Sequence, residues 1–250
     1  MLSKLKDLKL SGITKTLDAR NEEAIKENLS FMEFFELLLN DESNNRVANA
    51  RMKRLTKAKF PGHKTIEEYN FNYQPSLNKR EIYNLATCEF IRNKENIAFI
   101  GPSGTGKTHL SIAIGVNAIS QGYDVLFTTV NQMLDELYMA RADNSLIKKM
   151  RKYTSPTLLI LDELVLKKLS QNNIDDFYEI ISKRYEQGSI IVTSNKKFDE
   201  WGHIFYDPIL ATAILDRFIH HCNFILIDGN SYRMKQRQEK LKELSSDSPL

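Results

Sequence analysis

The sequence predicts an α/β fold, a parallel sheet flanked by helices, preceded by a small all-helical N-terminal domain. Up to about residue 60 the chain has no proline and a single glycine, Gly12, which favours helices. Beyond that point, short apolar runs alternate with helical patterns. Continuous apolar strands joined through helices are typical of a parallel sheet covered on both faces. The apolar runs are residues 97–100, 125–130, 158–161, 190–193 and 224–227.

Three helical segments are expected in the N-terminal domain, which we assign to residues 1–63. The first has apolar residues at spacings of three to five, namely Leu2, Leu5, Leu10, Ile13 and Leu17. Ser30 followed by Glu33 is a capping box and predicts a second helix from residue 31 to residue 39. A third is expected from about residue 43 to the Pro61-Gly62 pair.

The second domain is assigned to residues 64–250. It begins with a lead-in segment, residues 64–95, in which Tyr69, Phe71 and Tyr73 are aromatic anchors. Residues 96–250 form the core and a C-terminal helix. Helical patterns over residues 108–121, 131–153 and 175–187 separate the predicted strands.

Composition is that of an ordinary globular protein, with 42% hydrophobic and 27% charged residues and a net charge of +3. Cys88 and Cys222 stand far apart, in no metal-binding or redox spacing, as is typical of a reducing cytosol. No stretch approaches the roughly 18 apolar residues of a membrane span, and the N-terminus lacks the apolar core of a signal peptide. The expected location is the cytoplasm, with no membrane partner.

Residues 101–108 match the phosphate-binding pattern G-x-x-x-x-G-K-[ST] at every fixed position. A strand-like run precedes the motif and a helical run follows it, which distinguishes a P-loop from an ordinary glycine-rich turn. Lys107 is expected to reach the β- and γ-phosphates of ATP, and Thr108 to bind Mg²⁺. The predicted ATP-binding residues are Gly101, Pro102, Ser103, Gly104, Thr105, Gly106, Lys107, Thr108 and His109.

Two carboxylates, Asp162 and Glu163, end the apolar run of residues 158–161. Ligands of open α/β sheets bind at the carboxyl ends of strands, so these acids are candidates for the site rather than for a solvated turn. Asp162 is expected to hold Mg²⁺, and Glu163 to accept a proton from the attacking water.

Three further polar residues are weaker candidates. Asn195 follows the predicted strand at residues 190–193 and could orient the attacking water, although asparagine after a strand is also a common turn residue. Arg217 and Arg233, taken individually, are more typical of surface or ion-paired arginines than of site residues.

The order and spacing of these motifs resemble the IstB-type ATPases of bacterial transposons, within the AAA+ superfamily of P-loop NTPases, and the related DnaC-type helicase loaders. The resemblance covers about 170 residues. It is carried by KTIEEYNF (64–71), GPSGTGKTHL (101–110), LLILDEL (158–164), IIVTSN (190–195) with Trp201, AILDRFIHH (213–221) and GNSYRMK (229–235).

This resemblance implies roles that spacing alone does not. Asn195 is similar to the sensor-1 residue, Arg233 to the sensor-2 arginine that touches the γ-phosphate, and Arg217 to an arginine finger that enters the site of a neighbouring subunit. Self-association into a nucleotide-dependent oligomer is therefore expected. Val165 departs from the family pattern, where many members carry glycine after the acids.

A basic segment covers residues 46–64, with seven lysines or arginines and no acidic residue. On a helix, Arg46, Lys53 and Lys57 project within about 40° of one another, flanked by Arg54. Such a stripe suits a phosphate backbone, and it is also compatible with a merely solvated helix face. The resemblance to IstB-type proteins implies duplex DNA as the ligand.

The predicted function is an ATP-dependent, DNA-binding ATPase that assists a separate transposase in target selection and insertion. Two alternatives stay open. A DnaC-like replicative helicase loader would prefer single strands, and a small-molecule P-loop kinase would need an acceptor pocket.

Overall fold

The computed structural model describes residues 1–164, 170–204, 208–235 and 237–239. The chain divides into two compact units, Met1–Thr56 and Lys57–Leu250. The assignment of residues 1–63 and 64–250 as functional domains stays a prediction.

The first unit is helical, as expected, with short connections between its helices. Helix α1 covers Leu2–Asp7, α2 covers Ser11–Lys26, and the unit contains most of α3, Phe31–Ala58. The amphipathic stretch over residues 2–17 is thus divided between two helices, and Lys9 lies between them with a left-handed φ of 57°. Ile13, Leu17 and Leu38 form the buried core of this unit.

Helix α3 corrects the prediction of a break between residues 39 and 43. The Ser30–Glu33 capping box is confirmed, since Ser30 N donates to Glu33 Oε2 at 2.8 Å and Glu33 N to Ser30 Oγ at 3.3 Å. The polar residues after position 39 do not end the helix, because they bind α2. Asp41 accepts two bonds from Arg20, and Glu42 accepts the N–H of Gly12 at 2.6 Å.

In the second unit, the described residues form a parallel sheet of five strands in the order β2-β3-β4-β1-β5. The strands are β1 Asn96–Ile100, β2 Val125–Thr129, β3 Leu158–Asp162, β4 Ser189–Ser194 and β5 Cys222–Leu226. Each coincides closely with a predicted apolar run, so the α/β fold class is confirmed. Because β4 lies between β1 and β3, the P-loop after β1 and the acids after β3 flank the end of β4.

Helices cover both faces of this sheet. The described helices are α4 Lys79–Ala86, α5 Glu89–Arg92, α6 Lys107–Ser120, α7 Val130–Ala142, α8 Leu146–Thr154, α9 Gln171–Arg184 and α10 Pro208–Ile219. Leu159 and Leu161 pack into one core with residues of α7 to α10. Ile160 points to the opposite face, where α6 approaches so closely that a Cβ on Gly115 would lie 2.9 Å from Ile160 Cδ1.

The prediction of a single helix over residues 131–153 is wrong, because α7 and α8 are separate helices. Asn144 interrupts them with a φ of 57°, and Asp143 Oδ1 accepts the N–H of Ser145 at 3.0 Å. Short polar side chains compete with helical hydrogen bonds in this way. Among the residues that the structure describes, no helix has the length and apolar character needed to cross a membrane.

Candidate active site

The loop of residues 101–106 joins β1 to α6 at the carboxyl edge of the sheet. Gly104 and Gly106 have φ values of 83° and 95°, a region that favours glycine. Gly106 is the N-cap of α6, so the unpaired N–H groups of the first helical turn and the positive end of the helix dipole lie at the loop. The loop therefore offers backbone donors to an anion such as a phosphate.

Lys107 folds its side chain back over this loop. Its Nζ donates to Gly101 O at 2.6 Å and to Pro102 O at 2.7 Å. The residue is 9% exposed, and this burial lowers the pKa of Lys107 to about 8, although the charge of Asp162 acts in the opposite direction. The Lys107 ammonium group, largely shielded from water and next to backbone N–H donors, is suited to bind phosphate oxygens.

The P-loop and the acidic strand meet through side-chain oxygens. Thr108 Oγ1 donates to Asp162 Oδ1 at 2.8 Å, so two candidate residues far apart in sequence lie side by side. Asp162 is 6% exposed at the end of β3, whereas Glu163 is exposed. Thr193 of β4 also donates to Asp162 Oδ1, at 2.6 Å, a contact that the sequence analysis missed.

A cavity of about 610 Å³ opens beside these groups. This volume falls within the range of about 300 to 1,000 Å³ that is usual for small-molecule sites. Its lining includes most of the predicted site, namely Gly104, Thr105, Gly106, Lys107, Thr108, His109, Asp162, Glu163 and Arg233.

The lead-in segment forms one wall of the cavity and holds the P-loop in place. Tyr69 OH donates to Thr105 O at 2.9 Å, and burial raises the pKa of Tyr69 to about 12, so the hydroxyl stays a donor. His109 packs edge-on against Tyr69, and its Nε2 lies 2.7 Å from Thr65 O. That short contact with a carbonyl requires the proton to be on Nε2.

Residues 227–233, which we call the strap, bring Tyr232 and Arg233 into the lining of the cavity. Tyr232 N donates to Gly104 O at 2.9 Å, which joins the strap to the P-loop. On its other side, Gln74 Nε2 donates to Asn230 O at 2.9 Å and Ser76 Oγ to Asp228 O at 2.7 Å. These bonds hold the strap between the lead-in segment and the P-loop, with Arg233 at the cavity.

The IstB-like ATP binding protein family matches residues 3–240 of this sequence. The chain belongs to this family. A protein named as an ATP-binding protein of insertion sequence IS5376 from Geobacillus stearothermophilus is 41% identical over 239 residues, which cover 94% of this chain and 95% of that relative. One of insertion sequence IS21 from Pseudomonas aeruginosa is 37% identical over 235 residues, 94% of this chain and 89% of the relative.

Solved structures that resemble this IstB-like protein show the AAA+ fold. DnaI superimposes with a TM-score of 0.58 at 20% identity, over 66% of this chain and 91% of DnaI. AMPPCP-bound DnaA from Aquifex aeolicus gives 0.56 at 24% identity, over 75% of this chain and 57% of the DnaA chain.

The family and the fold agree with the cavity chemistry: this chain is an ATP-binding protein of the IstB-like family and an ATPase, and its fold is that of AAA+ domains. The residues also fit a metal-bound nucleotide. Thr108 and Asp162 place hydroxyl and carboxylate oxygens, which are the donors that Mg²⁺ prefers, beside the phosphate-binding loop.

Some predicted residues do not line the cavity. Gly101 and Pro102 contribute carbonyls to Lys107 instead, and Ser103 is exposed next to them. Asn195 is exposed beyond β4, directly after Ser194, whose carbonyl accepts the N–H of Gly101 at 3.1 Å. Val165 lies outside the described residues.

Arg217 lies in a separate depression with Tyr185, Ile209, Thr212, Ala213 and Asp216. Its guanidinium donates to Ala213 O at 3.0 Å and stands 5.3 Å from the centre of the Tyr178 ring. Arg217 is therefore not part of the cavity formed by its own P-loop.

The predicted basic stripe lies on the single helix α3. Arg46, Lys53 and Lys57 are exposed, and Arg54 is partly buried. Arg46 Nε pairs with Glu42 Oε1 at 2.7 Å, a contact that the sequence analysis did not identify.

Proposed function

We propose that this IstB-like ATPase binds and hydrolyses ATP with Mg²⁺ in the P-loop cavity and assists a separate transposase at duplex target DNA. The observation that carries the ATP chemistry is the meeting of Thr108 and Asp162 beside the buried Lys107. The transposition role is supported by the names of the relatives, which belong to insertion sequences.

In the proposed reaction, Lys107 and the backbone N–H groups of the P-loop bind the β- and γ-phosphates, and Arg233 contacts the γ-phosphate. Thr108 and Asp162 would hold Mg²⁺, which would supply neutralising positive charge at the phosphate oxygens. Glu163 accepts the proton of the attacking water, and Asn195 orients that water. Hydrolysis yields ADP and phosphate.

Phosphate release measured with different additives tests the proposed function against its alternatives. Stimulation by duplex DNA, and further by the transposase of the same element, supports the transposition role. Stimulation by single-stranded DNA would favour a replicative helicase loader. Phosphorylation of a small acceptor would favour a kinase.

Duplex DNA is proposed to bind along the basic stripe of α3. Lys53→Glu together with Lys57→Glu is expected to weaken binding similarly for unrelated sequences, because the contacts are with phosphates. The slope of log affinity against log salt concentration should fall by about two, roughly one unit for each lost phosphate contact. Binding isotherms over a salt series measure both effects.

Arg46 is left unchanged in this experiment because its partner Glu42 also holds the N–H of Gly12, so reversing Arg46 would disturb the helical unit itself. Lys53→Glu alone is also measured, with Arg51→Glu as its matched control. Arg51→Glu makes the same change of charge on the same helix, but residue 51 projects about 160° away from Lys53. Equal losses for Arg51→Glu and Lys53→Glu would show that net charge, and not the stripe, determines affinity.

Arg217 is proposed to complete the site of a neighbouring subunit, because it lies outside its own P-loop cavity. Lys107→Ala and Arg217→Ala should each be inactive alone. In an equal mixture, about a quarter of head-to-tail interfaces join an intact Lys107 to an intact Arg217, so about a quarter of the ATPase activity should return.

The control mixes Lys107→Ala with the double variant that carries both substitutions, and this mixture should stay inactive. Co-assembly is checked by sedimentation in ATP. If the two single variants co-assemble without regaining activity, a finger acting between subunits is excluded.

A further inference from the structure

One hydroxyl group connects the two acidic residues of the site. Thr193, which is 2% exposed on β4, donates from Oγ1 to Asp162 Oδ1 at 2.6 Å. The same Oγ1 accepts the backbone N–H of Glu163 at 2.9 Å. A threonine hydroxyl has a single proton to donate, so this pair of bonds fixes its orientation.

The backbone of Thr193 constrains the same turn. Its carbonyl accepts the N–H of Leu164 at 2.8 Å, so Thr193 binds the peptide groups on both sides of the Glu163 α-carbon. Glu163 has a φ of 59°, a conformation that a residue with a side chain adopts at a cost and keeps only when its surroundings hold it. This turn directs the Glu163 side chain out of the sheet to the cavity, while Asp162 stays buried.

We infer that Thr193 is a positioning residue for ATP hydrolysis, which orients the Asp162 carboxylate and the Glu163 turn through one hydroxyl. The inference rests on the roles proposed above for the two acids. Asp162 Oδ1 accepts from both Thr108 and Thr193, so the carboxylate is held from the P-loop side and from β4. A carboxylate held by two hydroxyls loses little conformational freedom when it binds a metal-bound nucleotide.

A purely structural role for Thr193 makes different predictions. A buried hydroxyl that only satisfies polar neighbours would affect the stability of the fold and would leave the chemistry of the folded protein unchanged. The experiment therefore measures stability, nucleotide affinity with and without Mg²⁺, and turnover as separate quantities.

Thr193→Val keeps the shape of the side chain and removes both hydrogen bonds, whereas Thr193→Ser keeps the hydroxyl. Thr128→Val is the matched control, because Thr128 is a buried threonine of the sheet, 4% exposed, whose hydroxyl bonds to Thr129 O and contacts neither acid. Should the valine variant be insoluble, Thr193→Cys, which keeps the size and weakens the hydrogen bonds, takes its place.

For Thr193→Val, turnover is expected to fall by about tenfold. A decrease of this size corresponds to the loss of the net contribution of one to two hydrogen bonds in the transition state. The Mg²⁺ concentration needed for half-maximal binding of a fluorescent ATP analogue should rise severalfold. Affinity for the same analogue in EDTA should not change. Thr193→Ser should restore both turnover and Mg²⁺ dependence, and Thr128→Val should match the unchanged protein.

The inference is overturned if Thr193→Val and Thr128→Val give the same turnover and Mg²⁺ dependence, or if Thr193→Ser is as slow as Thr193→Val. Asp162→Asn and Glu163→Gln are measured in parallel. If those two variants lose activity and Thr193→Val does not, the proposed roles of the acids stand and only the positioning role fails. If they retain activity, the roles of the acids fail, and the positioning role fails with them.

Discussion

Exchanging Glu163 for glutamine is expected to slow ATP hydrolysis by about a hundredfold or more, the usual contribution of a general base. The amide has the shape of the carboxylate but cannot accept the proton of the attacking water. The affinity for ATP should stay close to that of the unchanged protein, because the phosphate-binding groups belong to the P-loop. Turnover and nucleotide affinity are measured separately on the same preparation.

Glu68→Gln is the matched control for this variant. Glu68 also lines the cavity, but its carboxylate accepts the N–H of Thr65 at 3.2 Å within the lead-in segment. The chemical change is the same as in Glu163→Gln, but the carboxylate of Glu68 has no proposed part in the reaction. Turnover of Glu68→Gln should therefore stay near normal. Rapid hydrolysis by Glu163→Gln would remove Glu163 from the mechanism.

Lys107→Met is expected to reduce the affinity for ATP by about a hundredfold, because two charge-assisted hydrogen bonds to phosphate oxygens are lost. The free protein should nevertheless remain folded, with a Tm equal to or above that of the unchanged chain. Burial lowers the pKa of Lys107 to about 8, so folding disfavours its charged form. The resulting loss of folding stability is complete below pH 8, where the lysine is charged in both the folded and the unfolded chain. It disappears as the pH rises to the ordinary pKa of lysine.

Lys64→Met provides the comparison, since Lys64 is an exposed lysine at the same cavity and makes no part of the P-loop. Its affinity for ATP should change by less than about tenfold, as for an exposed charge in water. A pronounced fall in the Tm of Lys107→Met would mean that the lysine supports the fold, and the loss of affinity would then have a different cause.

Local patterns predicted the parts of the molecule that local physics determines. The apolar runs became the strands, and the P-loop became a strand–loop–helix unit, because glycine conformations and helix termini depend on adjacent residues. That Thr108 and Asp162 lie at the same edge was also predictable, since the carboxyl ends of all strands of a parallel sheet point to one edge, although β4 separates β1 from β3.

Contacts between distant segments were not predictable in this way. Nothing in the sequence distinguished Thr193 from the other β-branched residues of its strand. Its proposed role depends on the pairing of β4 with β3, which the sequence does not reveal. The continuity of α3 depends on Glu42 and Asp41 binding α2, which overrides the local polar composition. The bonds of Gln74 and Ser76 to the strap join segments more than a hundred residues apart.

The strap also has a consequence for the order in which the protein is made. A ribosome completes the P-loop more than a hundred residues before it reaches Arg233. At translation rates of about 5 to 20 residues per second, this interval lasts on the order of ten seconds. During that time the nascent chain contains the phosphate-binding loop without the segment that closes onto Gly104. The wall of the ATP-binding cavity is therefore complete only near the end of synthesis, when Tyr232 and Arg233 have been added.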